Sequence, residues 1–193
     1  MGQVLCYRGC KSLLFFSVLG LLFFSSCRST RSFTSPLPEE YSIRMSKSSA
    51  SGYKNVKRVR KYEFAHRDVP AAFDGCRLGF VSDLHYRSLL KEKGLRDITR
   101  LLNDLRLDAL LIGGDLHEGC EYVPDVIAAL GAVKTPLGTY AVLGNNDYEA
   151  CYHDILKEME RQGIHLLEHE ADTLKRNGGR IVIAGVRNPF NLG

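Results

Sequence analysis

A chain of 193 residues holds about one domain plus an extension, which excludes an array of several domains. Its apolar share of 45% and charged share of 25% are ordinary for a globular protein. The net charge of +4 is unevenly placed: Lys and Arg crowd residues 28–67, with Lys57, Arg58, Arg60 and Lys61 almost adjacent. The cluster lacks the aromatic interleaving of a nucleic-acid module, so no specific nucleic-acid partner is expected. It reads either as a solvated basic spacer or as an attractor of anionic lipid headgroups.

At the N-terminus, Arg8 and Lys11 precede an almost wholly apolar run over residues 12–24. That run has the length of a signal-peptide core and is too short for a comfortable membrane span. Ser25-Ser26-Cys27 follows at once. Small residues and then a cysteine resemble a bacterial lipoprotein signal, in which the cysteine is acylated and becomes the mature N-terminus; Cys27 is then the lipidation site. A plain secretory signal and an uncleaved signal anchor are the alternatives, since Phe24 is unusual just before the two serines. The expected location is the bacterial cell envelope, exported and membrane-anchored. Residues 1–27 thus read as signal peptide and lipobox, 28–55 as a Ser/Pro/basic tether, and 56–193 as the folded domain. Of the six cysteines, Cys76, Cys120 and Cys151 fall in that domain. No Cys-x-x-Cys pair occurs, so a zinc knuckle or redox motif is not expected, and these three read as thiols without a role.

The domain opens with a strand over 59–66 and a first central strand over 77–82. Leu95, Ile98, Leu101, Leu102 and Leu105 recur at helical spacing and predict a crossover helix. A buried strand follows over 108–112. Val123, Val126, Ile127 and Leu130 mark a second helix, with Pro124 near its start and Gly131 past its end. A third strand covers 139–143. Tyr152, Ile155, Leu156 and Met159 mark a third helix that Gly163 ends. Strands are expected over 164–167 and 180–186, joined by the turn at Asn177-Gly178-Gly179. Alternating strands and helices predict an α/β fold with a mostly parallel, doubly covered sheet.

Three of these strands end in residues that bind metals. Leu78-Gly79-Phe80-Val81 runs into Ser82-Asp83-Leu84-His85; Ala109-Leu110-Leu111-Ile112 into Gly113-Gly114-Asp115-Leu116-His117-Glu118; Tyr140-Ala141-Val142-Leu143 into Gly144-Asn145-Asn146-Asp147. The groups lie roughly 30 residues apart, about one strand–helix–strand unit. Such spacing brings the loops out at one edge of a parallel sheet, where α/β proteins place their sites. Asp83 and His85 alternate along an extended segment, so both reach one ion if Leu84 points into the core. Asp115, on the middle loop, is the natural bridge to a second ion, and Asn145 offers that ion an amide oxygen. Two divalent ions about 3.5–4 Å apart neutralise phosphoryl oxygens and lower the pKa of a bound water, so hydrolysis of a phosphate ester is expected. Mn, Fe and Zn all accept this ligand mixture. A dinucleotide-binding Rossmann turn is excluded, because Asp83 and His85 stand where its glycines would be.

The motifs Asp83-x-His85, Gly114-Asp115-x-x-Glu118 and Gly144-Asn145-Asn146-Asp147, with Tyr148 next, resemble in order and spacing the first three motifs of the calcineurin-like metallophosphoesterases. The membrane-directed N-terminus is similar to the membrane-associated branch of that family. The resemblance implies an αββα sandwich of which this chain is the N-terminal half, two divalent ions held by Asp83, His85, Asp115 and Asn145, and a phosphoester substrate. Two departures stand out. The family's third motif has a histidine after the asparagine, assigned to transition-state stabilisation or leaving-group protonation; here Asn146 occupies it, and an amide delivers no proton at neutral pH. His117 and His153 are the candidate substitutes. The family's later lone histidine and Gly-His-x-His are absent, so the domain reads as truncated and the second ion as under-coordinated. The alternative function is a non-catalytic or decayed lipoprotein that keeps the scaffold. Substrate identity and oligomeric state are not written in the sequence.

Overall fold

In the computed structural model, residues 3–7, 42–48, 50, 52–148 and 150–188 are described. The central sheet has seven strands in the order β2-β3-β1-β4-β5-β6-β7. These are β1 (Gln3–Tyr7), β2 (Ser42–Ser48), β3 (Val59–Ala65), β4 (Leu78–Ser82), β5 (Ala109–Ile112), β6 (Thr139–Ala141) and β7 (Ile164–Leu166). β4 to β7 are parallel, in a register that aligns Val81 with Ile112, Ile112 with Ala141, and Ala141 with Leu166. Three helices make the crossovers: α1 (Glu92–Asp104), α2 (Val123–Gly131) and α3 (Tyr152–Gln162). β8 (Glu170–Arg176) and β9 (Gly179–Gly185) form a separate antiparallel hairpin.

Two apolar clusters follow from the two-residue period of the strands. Val81, Leu110, Ile112 and Ala141 face one way and pack with Ile98 and Leu102 of α1, Ile127 and Leu130 of α2, and Ile155 and Met159 of α3. Leu78, Ala109 and Tyr140 face the other way and pack with Phe73 and with Leu174 and Ile181 of the hairpin. All three helices therefore lie on one face, and the hairpin covers the other. Each helix has a local reason for one of its ends. α1 gives way to Arg106 at φ 50°, α2 starts with a proline in its first turn, and α3 stops at Gly163, whose φ of 66° is the left-handed cap that glycine adopts without a Cβ clash. Leu102 and Leu130 are fully buried, each favouring the fold by about 2 kcal/mol relative to an exposed side chain.

The fold departs from sequence expectation in three places. The turn at Asn177–Gly178 joins β8 to β9, not β7 to β9. β8 escapes notice because Glu-Ala-Asp-Thr-Leu-Lys-Arg carries one buried apolar residue, Leu174, and the pattern needs several. β2 pairs antiparallel with β3 inside the stretch read as tether, and its Ile43 and Met45 are exposed. The backbone of β1, inside the stretch read as signal peptide and outside the fold, pairs parallel with β3 and antiparallel with β4. The apolar run over 12–24 and Cys27 lie outside the described residues. Among the described residues no helix is long and apolar enough to cross a membrane.

Cys120 and Cys151 form a disulfide, which corrects their reading as thiols without a role. Their separation of 31 residues carries no signal; the fold brings them together because the loops after β5 and β6 are neighbours. Cys76 is free and buried in the second cluster, where desolvation pushes its thiol up to about 11.

Candidate metal centre

The parallel ladder continues past the ends of β4 and β5 and fixes the first two loops against each other. Asp83 N–H donates to Gly114 O at 3.0 Å, His85 N–H to Asp115 O at 3.0 Å, and Tyr86 N–H to Leu116 O at 2.9 Å. Leu84 and Tyr86 are buried, at 0% and 1% exposure, while Asp83 and His85 are less buried; the segment is not extended as the sequence reading expects, because Asp83 and His85 have left-handed backbone. Asp83, His85 and Asp115 all have positive φ, at 54°, 41° and 54°. Left-handed backbone at a non-glycine residue costs about 1–3 kcal/mol and persists where the surroundings over-determine it, often at functional sites.

The middle and third loops touch more closely than side chains would allow. A Cβ on Gly114, whose φ is 86°, would sit 2.0 Å from Gly144 N, and one on Gly144 would sit 2.1 Å from Asp115 Oδ1. The two glycines thus let the Asp115 carboxylate lie flat over the third loop, where Asn146 N–H donates to Asp115 Oδ1 at 3.1 Å. Asp147 ties the loops from below. It is fully buried and accepts N–H bonds from Asp115 at 2.7 Å, Leu116 at 3.1 Å and Gly144 at 2.9 Å. Burial raises its pKa, while the three N–H groups and His117 pull it back. Sequence reading treats Asp147 only as part of a motif. Its acidic side chain within a Gly-Asn-Asn-Asp turn signals loop-bracing, as Asp commonly bonds nearby backbone in turns.

Of the predicted ligands, Asp83, His85 and Asp115 come together: one ligand atom from each lies within 4.8 Å of the others. Two carboxylates and an imidazole so placed, part-exposed, fit a divalent cation that takes oxygen and nitrogen donors. Asn145 is exposed on the third loop beside them, its amide donating to Asn146 Oδ1 at 2.7 Å. Glu118 is the functional residue whose role is illegible in sequence. Its Oε1 lies 2.5 Å from His85 Nδ1, which leaves Nε2 as the nitrogen for a ligand, in the carboxylate–histidine arrangement common behind metal sites. Asn146 Nδ2 approaches the same His85 Nδ1 at 3.5 Å, so the residue at the family's histidine position does border the cluster.

Neither candidate substitute for that histidine is placed to act. His117 is 3% exposed; its Nδ1 accepts from Gly119 N–H at 3.2 Å and its Nε2 faces Asp147 Oδ1 at 3.7 Å. It is buried beneath the loops, its Nε2 beside the Asp147 carboxylate but beyond hydrogen-bond distance. His153 is exposed on the first turn of α3, against the Tyr152 ring. Behind the third loop, the Tyr148 and Tyr152 hydroxyls donate to the two oxygens of Glu168 at 2.5 and 2.6 Å, and Arg187 covers the Tyr148 ring. Burial first, and then the Glu168 carboxylate, raise the Tyr148 phenol above its usual range.

Known proteins resemble this chain. The calcineurin-like phosphoesterase family matches residues 76–185, which begin just before β4 and end with β9. A transmembrane protein with metallophosphoesterase domain from Danio rerio is 26% identical over 134 residues, 67% of this chain and 31% of the relative. An uncharacterized metallophosphoesterase of Aquifex aeolicus is 28% identical over 133 residues, covering 67% of this chain and 48% of the relative. One from Helicobacter pylori is 32% identical over 111 residues, covering 57% and 29%. The chain thus spans less than half the length of these curated relatives. No solved structure matches it. The family match covers more than half the chain and contains all three ligand loops: this protein belongs to the calcineurin-like phosphoesterases, a family of metal-dependent hydrolases.

Proposed function

We propose that this chain carries the metal-binding loops of a phosphoester hydrolase held at the cell envelope. In this reading Asp83, His85 and Asp115 would hold a divalent cation, Asp115 would serve a second ion as well, and Asn145 would supply that ion an amide oxygen. The observation that carries the proposal is the convergence of Asp83, His85 and Asp115 within 4.8 Å at the ends of adjacent parallel strands. Bound cations would neutralise phosphoryl oxygens and acidify an attacking water. The chain's own residues fix where this happens. Glu118 orients the His85 ring, the Asn146 amide beside His85 could donate to a phosphoryl oxygen, and Asp147 holds the Asp115 loop in place. Tethering through Cys27 would keep the site at a membrane face but would remove β1 from the sheet on cleavage, whereas an uncleaved leader would keep both. The name of the Danio rerio relative, a transmembrane protein, is in line with that placement.

A second reading, a binding protein without turnover, is favoured by one residue. Asn146 replaces the group that the family uses to stabilise or protonate, and loss of a positioned general acid lowers rate by ~10²–10⁴-fold. A chromogenic phosphodiester assay with Mn²⁺ separates the two. The hydrolase reading expects turnover that needs metal and disappears in Asp115→Ala; absence of metal-dependent turnover at every pH leaves the binding reading.

A further inference from the structure

We infer that the Cys120–Cys151 disulfide is a maturation lock on the cation centre, so that the chain binds divalent cations tightly only after this bond has formed. The inference rests on the cation site proposed above. Cys120 opens the turn that follows the middle loop, two residues past Glu118 and five past Asp115; Cys151 caps the N-terminus of α3, six residues past Asn145. The bond therefore fastens the far ends of the two loops whose near ends are held by Asp147. Without it, Glu118 sits on a segment joined to the third loop by no covalent link, and Asp115 keeps a positive φ that needs its surroundings to enforce it. A cross-link closing a loop of this length removes much of the conformational freedom of the open form.

The bond is also chemically addressable. Cys151 is 5% exposed, whereas Cys120 is half-buried, so attack enters at Cys120 Sγ. One thiolate of a dithiol reductant bonds to that sulfur and expels the Cys151 thiolate, which takes up a proton. The reductant's second thiolate then displaces Cys120, which is protonated in turn. Two electrons and two protons pass to the protein, and the reductant leaves as a disulfide. Cys76, buried in the cluster on the opposite face of the sheet, is not a competing partner. Stable disulfides belong to oxidising compartments outside the cytosol. The lock and the leader-like residues 8–27, which are independent features, thus agree on export.

The test measures Mn²⁺ affinity by calorimetry on the full chain in three states: oxidised, reduced with a dithiol that is then removed under inert gas, and reoxidised. Mass mapping of Cys120 and Cys151 verifies each state, and amide exchange of residues 115–120 and 144–151 is followed in parallel. Reduction is expected to weaken Mn²⁺ binding about tenfold or more, the size of effect seen when groups supporting metal ligands are lost. Exchange in the two loops should rise while Leu101 and Leu102 stay protected, and reoxidation should restore both. A Cys120→Ser/Cys151→Ser variant should match the reduced form, and Cys76→Ser the oxidised one. Equal affinity in oxidised and reduced chains overturns the lock alone. Global loss of protection on reduction also overturns it, because the bond would then hold the whole fold. No Mn²⁺ uptake in any state overturns the cation site and the lock together.

Discussion

The carboxylate of Asp147 accepts the backbone N–H of Asp115 at 2.7 Å, while the N–H of Asn146, one residue before Asp147, donates back to Asp115 Oδ1 at 3.1 Å. The two ligand loops are thus braced by reciprocal bonds, and the buried acid holds the part-exposed one in place. Asp147→Ala would leave three backbone N–H groups buried and unpaired, each costing about 1–3 kcal/mol. Urea unfolding should show a loss of at least ~3 kcal/mol, with Asp147→Asn losing less because its amide oxygen still accepts. A loss near zero for the alanine variant would contradict the bracing role.

Glu118 acts through His85 and not on the fold. It is exposed, so Glu118→Ala should leave the unfolding midpoint nearly unchanged while Mn²⁺ affinity falls roughly 10–100-fold. Glu118→Gln retains an acceptor and should fall less. Calorimetric titration of both variants beside a denaturation series separates this from a structural effect.

Asn146 gives a gain-of-function test. Its side chain already borders His85, so a histidine there occupies the position the family uses. Asn146→His should raise phosphodiester turnover by up to ~10²–10⁴-fold and add a titrating limb near neutral pH to the rate profile. An unchanged rate and a flat profile would show that Asn146 is not what limits this chain.

Cys76 sets a pH dependence of stability. Burial disfavours the thiolate and pushes the folded thiol up to about 11 from an ordinary value of 9.0. A folded pKa raised above the unfolded one gives stability that is fully present below pH 9 and is lost as pH rises towards 11. The thiol's share should amount to ~2–3 kcal/mol and is read as the difference in pH dependence between the native chain and Cys76→Ala, because the raised Tyr148 phenol acts in the same alkaline window in both. Chemical denaturation between pH 8 and 11 measures it, and alkylation at pH 8 should leave Cys76 unmodified in the native chain.

Much of this was legible in the residues. The helices announced themselves because Leu95, Ile98, Leu101 and Leu102 must share one face, and Gly163 could end α3 only in a left-handed cap. The burial of Leu84 between Asp83 and His85 was legible, whereas the left-handed backbone at Asp83 and His85 was not, since the sequence reading expects an extended segment there. What stayed hidden depends on contacts between segments distant in the chain. The β8 strand is polar outside Leu174, and its place is set by pairing with β9. The Cys120–Cys151 bond and the Glu118–His85 contact, across 31 and 33 residues, exist only once three loops share a sheet edge. Covering of the sheet's second face by a hairpin, with α1, α2 and α3 on the other, depends on the common direction of β4 to β7 and not on composition.

The central claim is that Asp83, His85, Asp115 and Asn145 jointly hold divalent cations. Calorimetric titration of the oxidised full chain with Mn²⁺, beside Asp115→Ala, tests it most directly. The account predicts uptake of up to two ions per chain and loss of both in Asp115→Ala, since that carboxylate serves each of them. Uptake that is absent in the native chain, or unaltered by removing Asp115, would contradict it.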